Sequence, residues 1–110
     1  MKKLLFSLLC LVMATSAFAQ KNEIVKIKTS AICEMCKERI ERNLAFEKGV
    51  AESNLDVDSK ILTVSFNPKK TTVAKIKENV SKSGYDADEL LADTKSYAKL
   101  PSCCQKGGHQ

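Results

Sequence analysis

Along residues 23–29 apolar and polar side chains alternate, with Val25, Ile27 and Thr29 on one face and Ile24, Lys26 and Lys28 on the other. That period of two is the pattern of a half-buried strand. From Cys33 the period lengthens: Cys36, Ile40 and Leu44 recur every fourth residue, while Lys37, Glu38, Arg39, Glu41 and Arg42 fill the other faces. This predicts an amphipathic helix running up to Gly49, a residue suited to the left-handed position past a helix end. Alternation returns over residues 50–57 through Ala51, Ser53, Leu55 and Val57. Turn residues at 58–60 then lead into residues 61–66, where Leu62, Val64 and Phe66 share a face, so the two runs read as a hairpin that ends at Asn67-Pro68. Thr71 or Thr72 is placed to cap a second helix with the stripe Val73, Ile76 and Val80, closed by Gly84. A last short strand is expected after Tyr85, although residues 86–91 serve equally well as a helix start.

Strand, helix, strand, strand, helix, strand is the α+β, ferredoxin-like βαββαβ sandwich, an antiparallel sheet with two helices on one face. One domain over residues 20–92 accounts for it, followed by a tail over residues 93–110 with a helical turn near residues 96–100, a break at Pro101 and a flexible Gly107-Gly108.

The N-terminus changes the compartment. Lys2 and Lys3 precede an uncharged run over residues 4–14 and an Ala17-Phe18-Ala19 triplet, the three parts of a signal peptide over residues 1–19, cut after Ala19. Its apolar run is too short to span a bilayer, so an exported, periplasmic or secreted chain that is not membrane-embedded is expected. Losing Lys2 and Lys3 takes the 18 basic residues to 16 against 13 acidic ones, a net charge of +3 in place of +5. Such mild, scattered charge with few aromatics argues against a nucleic-acid partner.

Cys10 leaves with the leader, and the four remaining cysteines form close pairs, Cys33 with Cys36 and Cys103 with Cys104. A disulfide scaffold spreads its cysteines to staple distant segments; close pairs chelate. Cys33 falls in the loop after the first strand and Cys36 in the first turn of the helix, so both sulfurs can approach one ion. Positive helix N-terminal charge favours their thiolates. Two soft thiolates without a fixed third ligand suit Cu(I), in a site open to an incoming thiol.

The segment from Thr29 through Cys33-Glu34-Met35-Cys36, then Ile40-Glu41, Leu44, Gly49-Val50 and Ser83-Gly84-Tyr85-Asp86-Ala87, resembles the heavy-metal-associated domain family over roughly residues 23–91. The resemblance implies binding of Cu(I), with Hg(II) or Zn(II) as other cargo, by Cys33 and Cys36. It also implies handover to a metal-transporting ATPase or other metal-binding domain, with Tyr85 in a loop near the metal. Where the family carries Gly-Met-Thr before the first cysteine, with the Met packed inward, this chain has Ser30, Ala31 and Ile32, so the loop lacks that anchor and Ile32 or Met35 is left as a substitute. Met35, between the cysteines, is otherwise a surface residue whose thioether can touch a soft ion.

Cys103 and Cys104 are expected not to bridge each other, since adjacent alpha carbons lie about 3.8 Å apart and disulfides want roughly 4.4 to 6.8 Å. With His109 they are candidate metal ligands, as a second site, as extra ligands to the first, or as disulfide partners of Cys33 and Cys36. A carrier, monomeric or bridged into a dimer by metal, is the reading; no catalysis is expected, and Glu34, Glu38 and Glu41 read as helix-surface charge. A thioredoxin-like thiol-disulfide redox protein is the rival. The lysines at 69, 70, 75, 77 and 82 form either a docking face for an acidic partner or a solvated surface.

Overall fold

The computed structural model describes residues 21–106; the signal peptide expected over residues 1–19 and the candidate ligand His109 lie outside them. Strand β1 (Glu23–Lys28) leads to helix α1 (Glu34–Ala45), then β2 (Val50–Asp56), β3 (Ile61–Phe66), α2 (Val73–Lys82), a short α3 (Thr94–Ala98) and a 3-10 turn (Ser102–Cys104). The sheet has the order β1-β3-β2 with both pairings antiparallel, Val25 opposite Val64 and Leu55 opposite Leu62.

The predicted stripes are the buried ones. Ile27, Leu62, Val64 and Phe66 from the sheet meet Cys36, Ile40 and Leu44 of α1 and Ile76 and Val80 of α2 in one core. Each large apolar side chain buried there contributes about 1.5–3 kcal/mol of transfer free energy. Thr72 is the residue that caps α2, its side chain accepting from the Lys75 N–H at 3.2 Å, while Thr71 is buried.

Three boundaries differ from expectation. Helix α1 stops at Ala45, four residues short of Gly49. The next residues form a turn, and Gly49 itself has φ +93 where a Cβ would lie 2.9 Å from the Lys70 Cβ. In β2 the register shifts between Val50 and Glu52, so Ala51, expected to face inward, is exposed and Val50 packs on the core instead. The fourth strand is reduced to single bridges, Thr29 with Ala87 and Ala87 with Leu90. Asp88 explains the reduction. It adopts φ 53, which turns the chain, and its carboxylate takes the Lys28 N–H at 2.8 Å that a continuing strand would have bonded through its backbone.

The segment after residue 92 is also more than a tail. Helix α3 matches the expected turn, but Leu100 and Cys104 are buried within the core cluster and Tyr97 and Cys103 pack against it. Gly84, at φ +104, makes room, since a Cβ there would meet Leu100 side-chain carbons at 3.0 Å. The Lys106 ammonium pairs with Asp86 at 2.9 Å and the Lys106 N–H donates to the Tyr97 hydroxyl at 2.8 Å, which fixes the far end.

Candidate metal centre

Cys33 is the N-cap of α1, in extended backbone at φ −154, and Cys36 lies in the first helical turn, so both side chains converge above the helix N-terminus. Their Sγ atoms are 3.0 Å apart. The loop that delivers Cys33 is held by polar bonds. The Thr29 hydroxyl donates to the Lys60 carbonyl at 2.9 Å and accepts from the Ala31 N–H at 3.2 Å, and the Ser30 hydroxyl accepts from the Asp86 N–H at 2.9 Å. Ala31 is fully buried in the core and Ile32, partly buried, packs against it, so these two hold the loop; Met35 is 45% exposed, the surface placement expected of it.

The two thiols are not equivalent. Burial and the Cys36 side chain raise Cys33 above the usual thiol value, against the pull of the Cys36 backbone N–H. Burial also opposes charge on Cys36, but hydrogen bonding from Cys33, the Ile32 backbone, Cys104 and Tyr85 outweighs it and brings Cys36 below that value. Of the two, Cys36 is therefore the one that gives up its proton more readily, with the Cys33 thiol beside it. Tyr85 is fully buried with no partner in good hydrogen-bond geometry for its hydroxyl, which faces the Cys36 and Cys104 sulfurs; burial raises the phenol far above its ordinary range.

The expected open site is covered. Cys36 is completely buried and Cys33 only partly exposed, because the 3-10 turn sets the Cys104 Sγ 3.8 Å from the Cys33 Sγ and the Cys103 carbonyl 3.6 Å from it. The sulfurs of Cys33, Cys103 and Cys104 all lie within 4.8 Å of one another, and the Met35 Sδ is 3.6 Å from the Cys103 Sγ. The two cysteine pairs, distant in the sequence, thus share one place, and all four are free thiols. Burial pushes Cys104 up to about 12.

Glu41, read from the sequence as helix-surface charge, helps to hold the frame. It accepts from the Leu55 N–H at 2.8 Å and from Lys37 at 2.7 Å, joining α1 to β2. Lys77 pairs with Asp88 and Glu89, and Lys82 with Glu78, so part of the predicted lysine face is spoken for.

Residues 27–86 match the model of the heavy-metal-associated domain. A copper chaperone, CopZ of Staphylococcus epidermidis, is 31% identical over 59% of this chain and 94% of its own. A zinc-transporting ATPase of Synechocystis is 38% identical over 62% of this chain, but the match spans only 9% of that ATPase. Among solved structures, the Cu(I)-loaded N-terminal domain of a potential copper-translocating P-type ATPase from Bacillus subtilis superposes with a TM-score of 0.59, at 32% identity over 62% of this chain and 86% of that one. Oxidised MerP of Ralstonia metallidurans gives 0.59 at 19% identity over 62% and 96%, a likeness of fold alone. The sheet order, the Cys33-x-x-Cys36 loop and the match over residues 27–86 agree: this chain belongs to the heavy-metal-associated domain family.

Proposed function

We propose that this protein is an exported carrier that takes up Cu(I) between Cys33 and Cys36 and passes it to a metal-transporting ATPase or a similar domain by thiol exchange. The observation that carries the reading is the pair of sulfurs 3.0 Å apart at the N-terminal tip of α1. Positive helix-end charge stabilises the thiolates, and soft sulfur donors select a soft cation over Mg or Ca. Similarity to a copper chaperone and to the Cu(I)-loaded ATPase domain supports copper as cargo; the zinc-transporting ATPase keeps Zn(II), and donor softness Hg(II), as alternatives. The leader pattern of residues 1–19 supports export.

The test is competition between the reduced protein and a Cu(I) chelator. The protein retains about one ion per chain, set by one bis-thiolate pair, and Cys33→Ser/Cys36→Ser loses it. Unchanged retention in that double variant overturns the assignment. Turnover of a test disulfide by the metal-free protein would favour the thiol-disulfide redox reading instead.

A further inference from the structure

We propose that the segment after residue 92 is a built-in ligand arm, in which Cys103 and Cys104 join Cys33 to hold the captured ion in a three-sulfur site. The proposal rests on the carrier reading and concerns how that site retains its cargo.

Metal geometry separates the sulfurs into two sets. An ion bonded to three thiolates at about 2.3 Å in a plane spaces them about 4.0 Å apart. Cys33 to Cys104 is 3.8 Å and Cys103 to Cys104 is 4.0 Å. Two sides of the triangle already have the length the ion needs, and the third lies within 4.8 Å. The Cys33–Cys36 pair, 3.0 Å apart, can share an entering ion only once its sulfurs move apart. At bonds of about 2.3 Å it would force an angle near 80°, so that pair must spread before it chelates.

The arm is placed by contacts that have nothing to do with sulfur. Leu100 fills the gap over Gly84, Asp93 caps α3 and donates its N–H to the Ser81 carbonyl at 3.0 Å, and Lys106 pairs with Asp86. Cys33 belongs to both sets, so it is the pivot. The ion enters at Cys33 and Cys36, and Cys103 and Cys104 then add while Cys36 lets go. Each thiol that becomes a ligand gives its proton to water, Cys36 regains one on leaving, and no electrons move. Adding ligands from a tethered arm raises their local concentration and slows loss of the ion, and an incoming partner must displace the arm to receive it.

Two measurements on the reduced protein with one equivalent of Cu(I) decide it. X-ray absorption should give three sulfurs around copper, and mass-mapped alkylation should find Cys103 and Cys104 protected relative to the metal-free protein; neither requires a variant to fold. In Cys103→Ser/Cys104→Ser the shell should fall to two sulfurs and retention against a chelator weaken on the order of tenfold. A two-sulfur shell in the unaltered protein, with Cys103 and Cys104 alkylated at the metal-free rate, overturns the arm and leaves the carrier standing. Full retention by Cys33→Ser/Cys36→Ser removes the carrier reading and the pivot with it.

Discussion

At the scale of single residues, the site depends on a phenol that has little reason to be buried except the sulfurs it faces. Tyr85 is fully buried, its hydroxyl facing the Cys36 and Cys104 sulfurs without a well-formed hydrogen bond, an arrangement that costs about 1–3 kcal/mol where nothing compensates. Its compensation is Cys36, which it helps to keep below the ordinary thiol value. Tyr85→Phe is therefore expected to leave the melting temperature unchanged or slightly raised, and to move the pH of half-maximal Cys36 alkylation upward. The sign follows because removing a donor to the thiolate destabilises the charged form. Alkylation of the reduced, metal-free protein followed across pH by mass mapping checks it; a midpoint that stays put or falls refutes the role.

At the scale of elements, what could be read from the sequence is what periodic burial writes into it. Ile27, Ile40, Leu44, Leu62, Val64, Ile76 and Val80 all fall on their expected faces, and Cys33 and Cys36 on the expected helix end. The fourth strand was not legible as a bridge because one side chain, Asp88, takes the Lys28 N–H and turns the backbone, and no alternation records that. The docked arm was illegible for a different reason. Its anchors are single contacts, Leu100 over Gly84 and Lys106 with Asp86 and Tyr97, which no periodicity along the chain records. Gly84 looked like a helix stop, and it is one, but it is also the floor on which Leu100 rests. Gly84→Ala should then act twice: the positive φ costs on the order of 1 kcal/mol or more, and the new methyl pushes Leu100 outward. Expected are a lower melting temperature and faster alkylation of Cys104 in the metal-free protein. Leu100→Ala, which costs about 2–5 kcal/mol when a core leucine is well packed, should expose Cys104 similarly while leaving φ at residue 84 relaxed. Cys104 that stays as unreactive as in the unaltered chain, in both variants, would mean Leu100 does not hold the arm.

At the scale of the whole molecule, an ion shared by Cys33 and the arm ties together positions 70 and 71 residues apart. Nothing in the unfolded chain presents those sulfurs at once, so the ion binds the folded state far better than the unfolded one and its affinity becomes stability. An ion held only by Cys33 and Cys36 closes a loop of three residues, which even an unfolded chain can form, and part of its affinity is then lost as stabilisation. The rise in melting temperature on adding Cu(I) should accordingly be larger in the unaltered protein than in Cys103→Ser/Cys104→Ser, after subtracting the difference between their metal-free values. If the arm contributes about tenfold in affinity, the extra stabilisation is about 1.4 kcal/mol. For a domain of this size that is about 4–8 °C per kcal/mol, well within the reach of a thermal scan. Equal copper-induced shifts in the two proteins would mean that the ion never touches the arm, and that the four sulfurs meet only as packing.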